Sequence, residues 1–495
     1  FVGSRWTGLR QALMALVAGL DFGGGAVKAS VADVETGALR ALATEATTTM
    51  RPAPGRAEFD AEAWWQAGRR AMRAAVARAA LPSTEYVAIS ATSLRQGYVL
   101  VEGDAVLGSG VLNSDRRGQP QLSVLREQVG SERLYGLTGH WLAPQLTLPK
   151  LLQEQVEDRE RWSRSDGVLF VHDWALWRLS GERCSEPSMA SAGQLLDIRA
   201  RAWATQLLDE LGLGADRFPA LLDAGAEVGL LRDEELGLPL GIRVLAGGGD
   251  TQMTAAGAGG LEAGVVSVVA GTTTPLQVSS ADVPQDPLRH PWVSAHLRPD
   301  RWTAETNAGY AGMNLDWLAG VCGESVEMLA NEARSSSPGA DGLTAVVASR
   351  IWSEQTWSDR SPTALIGFEP RHRRADVARA FIEAHAYAIR ANLEDLERAL
   401  GSAFTEVRLA GGAGRVREFA QLVADVLGRP LQQVRSDYPA AGAFAWLAAG
   451  AQVAALPQVS TEQLDPTGGD AYEDGYRRFC EADTSIHREF AGSVA

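Results

Sequence analysis

Residues 16–21 form an apolar run that closes on a carboxylate, and residues 27–33 alternate apolar and polar positions. This pattern predicts a buried strand and its hairpin partner, with Gly23-Gly24-Gly25 as the turn. Residues 64–80 repeat apolar positions at helical spacing, 86–90 read as a strand, and 96–101 read as another that ends at Glu102-Gly103-Asp104. Helices are predicted over 149–157, 173–179 and 201–211, a strand over 242–246 and a helix over 251–257. The pattern then restarts. A strand over 265–270, a turn at Gly271-Thr272-Thr273-Thr274 and a strand over 276–279 echo the opening hairpin. The echo predicts a duplicated architecture with a cleft between the halves. Residues 376–400 and 416–427 read as amphipathic helices with core faces, 458–470 as a loop, and Tyr472, Tyr476 and Phe479 as one face of a last helix. Mixed strands and helices of this kind give an α/β chain.

The chain has 495 residues, which exceeds one hydrophobic core and predicts two domains. A hydrophobic share of 45% and a charged share of 22% are those of an ordinary globular protein. A net charge of −15 argues against a general nucleic-acid grip and against anionic membranes, and leaves room for a phosphorylated ligand at a local site. Cys184, Cys322 and Cys480 show no metal spacing. They are expected to be inert thiols in a reducing, cytoplasmic compartment. Residues 12–20 are apolar behind Arg5 and Arg10, but no small-residue cleavage site follows. They read as a core strand behind a short disordered leader over 1–13, and no other run approaches a membrane span.

Candidate chemistry lies at the ends of the predicted strands. Gly247-Gly248-Gly249-Asp250 follows the strand over 242–246. Alone it reads first as a tight turn whose aspartate caps the next helix. The second reading is a bare backbone that lets a base reach a bound hydroxyl. Asp21 with Gly23, Gly24 and Gly25 offers backbone N–H groups to a phosphate and a carboxylate to Mg²⁺, or simply a hairpin turn. It is neither a P-loop nor a dinucleotide fingerprint. Gly271, Thr272 and Thr273 offer amide and hydroxyl donors to a phosphoryl group, or form a β-turn. Gly411, Gly412 and Ala413 open a helix after a strand, where a flat ring or phosphate fits, or where a βα connection is simply tight. Ser93-Leu94-Arg95-Gln96-Gly97 and Asn113-Ser114-Asp115-Arg116 carry the hydrogen-bonding side chains of a polyol site, or solvated loops. No His set suggests a metal or nucleophilic site, and His172-Asp173 reads as a helix cap.

The order of these segments resembles the FGGY family of carbohydrate kinases from about Leu16 to near the C-terminus. Thr147-Leu148-Pro149-Lys150-Leu151-Leu152 resembles the family's first signature, with Gln153 where a Trp is usual. Residues 363–383, with Gly367, Asp376, Ala380 and Glu383, resemble the second. Ser358-Asp359-Arg360-Ser361-Pro362 resembles the preceding loop, and Trp64-Trp65 a paired Trp. The resemblance implies two actin-like (ribonuclease H-like) domains flanking a catalytic cleft, over 14–258 for sugar and 259–495 for ATP. Asp250 would be the catalytic base. Asp21 and Asp250 would position Mg²⁺ through water or phosphate. Gly23, Gly24, Gly25, Gly271, Thr272 and Thr273 would meet the phosphates. Gly411, Gly412 and Ala413 would lie near adenosine, and Arg95, Gln96, Asn113 and Asp115 would meet the sugar.

The first loop lacks the family's usual hydroxyl. General resemblance points to a xylulose-like ketose or polyol. Ser-Leu-Arg-Gln-Gly is similar to autoinducer-2 kinases, which act on a linear polyhydroxy ketone, and an arginine also suits a sugar acid. A catalytically weak sugar-binding regulator and an actin-like nucleotide switch are the competing classes. The expected partner is a small polyhydroxylated substrate, without nucleic acid or membrane, and with room for a homodimer.

Overall fold

The computed structural model describes residues 15–354, 363–451, 455 and 459–490. The expected leader over 1–13 and Ser358-Asp359-Arg360-Ser361-Pro362 lie outside the described residues. β1 (Leu16–Phe22), β2 (Ala26–Asp33) and β3 (Leu39–Ala46) form an antiparallel meander. After α1 (Ala61–Ala79), β4 (Tyr86–Ser93) runs parallel to β1. α2 (Thr147–Glu157), α3 (Val171–Ser180) and α4 (Pro187–Ala192) come next, then β5 (Glu227–Leu230) and β6 (Arg243–Gly249). These strands make a six-stranded sheet in the order β5-β6-β4-β1-β2-β3. α5 (Asp250–Gly257) leaves the end of β6.

The second half repeats the plan. It holds β7 (Val265–Val269), β8 (Pro275–Ser280), β9 (Trp292–Ala295), β10 (Trp302–Asn307), α6 (Ala311–Cys322), α7 (Arg374–Leu400) and β11 (Glu406–Ala410). α8 (Gly411–Gly414), α9 (Arg417–Leu427), β12 (Leu431–Val434), α10 (Ala440–Gly450), β13 (Thr461–Leu464) and α11 (Glu473–Phe490) complete it. Its seven-stranded sheet runs β9-β10-β8-β7-β11-β12-β13. β10-β8-β7-β11-β12 corresponds to β3-β2-β1-β4-β6 in chain order and in parallel and antiparallel pairing, while the outer antiparallel strands differ, β5 preceding β6 and β13 following β12. The expected duplication is therefore present.

Each half owns a core. Asp60 caps α1 by accepting from the Ala63 N–H, and the helix buries Trp64 and Trp65. Trp65 stacks on Phe22 at 6.1 Å and Trp64 on Phe59 at 4.2 Å. The second core gathers on α7, whose predicted apolar face is buried except at its ends, where Val377 and Leu400 are half-buried. α10 belongs to the second sequence half yet lies on the first sheet. A Cβ at Gly19 would meet Phe444 at 2.1 Å, so this strand and helix approach closer than any side chain allows. Val17, Leu245, Met253, Phe444 and Trp446 form this apolar seam between the halves.

Some local expectations change. Residues 201–211 are helical only over Thr205–Glu210, because Arg201 takes a left-handed φ of 50° and closes a small hairpin from Leu196–Asp197 to Ala202–Trp203. The strand expected from residue 96 begins at Tyr98, because Gln96 sits at φ 64°. The loop expected over 458–470 contains β13, an edge strand of which only Leu464 is buried, so its apolar signal is faint. Cys184 is buried and Cys322 and Cys480 are half-buried, all three as free thiols. Among the described residues no helix is long and apolar enough to cross a membrane.

Candidate active site

Parallel strands deliver their C-terminal ends to one edge, where side chains from sequence-distant segments meet. Phe22 of β1 pairs with Ser93 of β4, and Ser93 pairs with Gly249 of β6. Asp21, the Arg95 loop and Asp250 therefore stand side by side. In the second sheet Val269 of β7 pairs with Ala410 of β11, which sets Gly271-Thr272-Thr273 beside Gly411. A cleft of about 960 Å³ opens between these two edges. Gly24, Gly25, Arg95, Gln96, Asn113, Asp250, Thr272 and Thr273 lie on its wall. A second groove of about 810 Å³ on the first half holds none of these residues, and its Arg178 and Arg232 are paired with Glu62 and Glu182.

Gly247-Gly248-Gly249 is the end of a strand, not a turn. Its space is filled by protein rather than kept open for a ligand. A Cβ at Gly247 would lie 1.8 Å from the Ala91 carbonyl oxygen, one at Gly248 2.3 Å from Leu297, and one at Gly249 3.1 Å from the Arg95 side chain. Side chains hold the backbone in place. The Gly247 N–H donates to His172 Nε2 at 3.1 Å, Thr92 Oγ1 donates to the Gly248 carbonyl at 2.7 Å, and the Gly249 N–H donates to Ser188 Oγ at 3.1 Å. Because His172 Nε2 accepts, its Nδ1 carries the proton and donates to Asp173 at 2.9 Å. Asp173 also accepts from the Phe170 N–H, so the expected helix cap exists and is one end of this support. Ser188 in turn donates to the buried Glu186. Every polar bond in this set aims the end of β6, and with it Asp250.

Asp250 is the first residue of α5, and its Oδ1 accepts from the Thr251 N–H at 2.7 Å. Burial pushes its pKa up to about 6; Arg95 opposes the rise, and Asp21 and Glu305 add to it. Asp21 is also raised, first by burial, with Lys28 at 3.8 Å and the Tyr438 hydroxyl, which donates at 3.1 Å, pulling the other way. A buried and a half-buried carboxylate that add to each other's surrounding negative charge fit a hard divalent cation, which takes one or two carboxylates and completes its shell with phosphate and water oxygens. No cluster of three or more metal-ligating side chains exists among the described residues.

Lys150 and Thr147 explain the first signature. Lys150 is fully buried and donates to the Gln96 carbonyl at 2.8 Å and the Leu112 carbonyl at 2.9 Å. Thr147 Oγ1 donates to the same Gln96 carbonyl at 3.1 Å. α2 thus pins the strained Gln96 and ties the Arg95-Gln96 loop to the segment that presents Asn113. Burial lowers the Lys150 pKa from 10.5 to about 7. A lysine in the unfolded chain stays charged to its ordinary value, so unfolding takes up a proton between pH 7 and 10.5. Stability contributed through this group is therefore lowest below pH 7 and rises with pH across that window, by at most about 1.4 kcal/mol per pH unit. The difference in unfolding free energy between the native chain and Lys150→Met, followed by urea titration from pH 7 to 9, is expected to grow with pH. A difference independent of pH would contradict the buried amine.

The Gly271-Thr272-Thr273 loop is anchored from behind. Thr274 Oγ1 contacts His385 Nε2 at 2.7 Å, and the Thr274 N–H donates to the Gly309 carbonyl at 3.2 Å. Burial lowers the His385 pKa to about 4, which leaves a neutral imidazole. The Gly271 N–H closes the turn onto the Thr273 carbonyl at 3.1 Å. Gly411 backs onto Ala270, and the Ala413 N–H donates to the Ala270 carbonyl at 3.1 Å, so this turn adjoins the loop, with Gly412 exposed. Gly23 turns behind Gly24, its N–H bonded to the Ala26 carbonyl at 3.1 Å.

Asp115 departs from expectation. It is fully buried, and its oxygens accept from the Ala57 N–H at 2.7 Å and from Arg117 Nε at 2.9 Å. It supports the Asn113 segment from inside and is absent from the cleft wall. Sequence reasoning also missed residues. Glu305 forks onto Arg95 with both contacts at 2.7 Å. Trp292 and Trp352 form an aromatic wall with ring centroids 4.3 Å apart, backed by Trp141. The Trp292 indole N–H is buried without a hydrogen-bond partner. None of these has a local sequence signal.

Comparison with known proteins supplies the family. Residues 16–257 match the N-terminal domain model of the FGGY family of carbohydrate kinases, and residues 266–451 match the C-terminal domain model. The chain is 30% identical over 462 residues to a xylulose kinase of Escherichia coli strain K12, covering 90% of this chain and 92% of that protein. It is 28% identical over 433 residues to an autoinducer-2 kinase of Escherichia coli strain SMS-3-5, covering 83% and 81%. A solved xylulose kinase from Rhodospirillum rubrum superposes with a TM-score of 0.84 at 26% identity, over 96% of this chain and 99% of that one. With the two domain models matched in order over the two halves that build the cleft, the chain belongs to the FGGY family of carbohydrate kinases and is a phosphotransferase with an alcohol group as acceptor.

Proposed function

We propose that the cleft transfers the γ-phosphoryl of ATP to a hydroxyl of a short neutral ketose or polyol, with a xylulose-like ketose as the leading substrate. The observation that carries this reading is Asp250, a half-buried carboxylate just past the end of β6, on a wall shared with Thr272 and Thr273. Asp250 takes the proton of the acceptor hydroxyl, whose oxygen forms the new bond to phosphorus. The bond between phosphorus and the bridging oxygen breaks, and ADP leaves. The first domain, 14–258, offers Arg95, Gln96 and Asn113 to the sugar. The second, 259–495, offers Gly271, Thr272 and Thr273 to the phosphates and Gly411, Gly412 and Ala413 to the adenosine. Gly24 and Gly25 face the cleft with backbone N–H groups alone, since the loop has no hydroxyl of its own. Asp21 and Asp250 would hold Mg²⁺, which spreads phosphate charge when bound. The three free thiols suit a reducing cytoplasm.

A second reading, a linear autoinducer-2-type ketone, is favoured by Arg95-Gln96 in the first-domain loop. Release of ADP in a coupled assay over xylulose, ribulose, glycerol and a linear dihydroxy ketone separates the two. ADP release is expected to require an acceptor and to be fastest with one of the short ketoses. Equal ADP release with and without acceptors would overturn the kinase assignment of this cleft.

A further inference from the structure

We propose that Glu305 sets the charge class of the acceptor, occupying Arg95 so that the cleft takes neutral polyols and ketoses and rejects sugar acids. The proposal rests on the reading of this cleft as a sugar-kinase site. Among the described residues Arg95 is the only lysine or arginine on the cleft wall. It leaves the end of β4 in the first half, beside Gln96 and opposite the Asn113 segment that faces the same cavity. An unpaired guanidinium there would grip a carboxylate through two parallel N–H···O bonds, the strongest recognition this side chain offers.

Glu305 already fills that position. It comes from β10 in the second half and meets Arg95 Nη1 and Nη2 at 2.7 Å each. The pair is shielded, with side-chain exposures of 11% for Arg95 and 2% for Glu305. Gln277 Nε2 donates to Glu305 Oε2 at 2.5 Å and fixes the carboxylate from behind. The surrounding charge acts in the same direction. Asp21, Asp250 and Glu305 face Arg95 and the half-exposed Lys28, so negative charge is in excess around the acceptor position. His487, the other basic group on the wall, is paired with Asp483 at 3.4 Å. An incoming carboxylate would have to displace the buried bidentate Glu305 and sit beside two further carboxylates, Asp21 and Asp250. A neutral hydroxyl chain meets no such penalty.

The test compares xylulose with xylonate, a five-carbon sugar acid, in the native chain, Glu305→Gln, Glu305→Asp and the double variant Arg95→Gln/Glu305→Gln. Dissociation constants are read from quenching of the tryptophans that line the cleft, and ADP release is measured in parallel. The native chain is expected to release ADP with xylulose and to bind xylonate far more weakly. Glu305→Gln is expected to shift the xylonate-to-xylulose affinity ratio toward xylonate by about ten- to hundredfold, the worth of a charge-assisted pair. Glu305→Asp keeps the charge and is expected to keep rejecting xylonate, and the double variant is expected to lose the gain. Native circular dichroism spectra identify folded variants. A ratio unchanged in folded Glu305→Gln, or a gain that persists without Arg95, overturns the charge filter while leaving the kinase reading intact. A native chain that releases no ADP with any neutral acceptor overturns the kinase reading itself.

Discussion

Asp250→Asn is expected to lower kcat by about 10²–10⁴-fold while nucleotide affinity stays near its native value. Asparagine keeps the shape of the side chain and the oxygen that accepts the Thr251 N–H at 2.7 Å, so the start of α5 is preserved. What disappears is the proposed proton acceptor, while Asp21 is left as the proposed carboxylate for Mg²⁺. Burial makes this carboxylate more basic than an ordinary aspartate, which raises its driving force for taking a hydroxyl proton. The proposed nucleotide contacts at Thr272, Thr273 and Gly411 belong to the other sheet and are anchored by His385 and Ala270, not by Asp250. The separation is measured by turnover in the coupled assay and by calorimetric titration of the nucleotide. Turnover within tenfold of native would remove Asp250 from the role of base.

Gly247→Ala is expected to be the most destructive single methyl addition in the site, costing about 3–5 kcal/mol and most of the activity. The added carbon would stand 1.8 Å from the backbone oxygen of Ala91 in the neighbouring strand β4, and neither strand can yield without breaking the bonds to His172, Thr92 and Ser188. Gly249→Ala provides the contrast. Its new carbon would meet the Arg95 side chain at 3.1 Å and Met189 Sδ at 3.6 Å, flexible groups that can move aside. That variant is expected to fold with a loss near 1 kcal/mol or less and to weaken acceptor binding by shifting Arg95. Thermal unfolding and acceptor KM measure the two effects. Equal tolerance at both positions would contradict the view that Gly247 is a packing requirement.

The fold was largely legible because its strands are short apolar runs closed by glycine turns. β1, β2, β7 and β8 stand where alternation and the Gly-rich turns predict them, and the duplication follows from that echo. β13 was missed because an edge strand buries one residue, Leu464, and so carries almost no apolar period. Of the candidate site, the positions at strand ends were legible: Arg95, Gln96, Asn113, Asp250, Thr272 and Thr273 line one cleft, with Asp21 beside Asp250. Asp115 was misplaced because two acidic and amide residues two positions apart on one loop look alike in sequence, whereas only one of them escapes Arg117. The reason for Gly247-Gly248-Gly249 was also misjudged. The glycines make room for Ala91, Leu297 and Arg95, and no pattern within the segment reveals neighbours from other strands. Glu305 and the Trp292–Trp352 wall were invisible for the same reason, since each acquires meaning only when the second half closes against the first.

In the proposed reaction the cleft passes a phosphoryl group to a sugar hydroxyl and not to water. Phosphorus-31 NMR of the native chain with ATP, Mg²⁺ and xylulose tests it most directly. A new phosphomonoester resonance that grows in step with ADP, with little inorganic phosphate, is the expected result. Inorganic phosphate as the main product, at a rate the acceptor does not change, would contradict it.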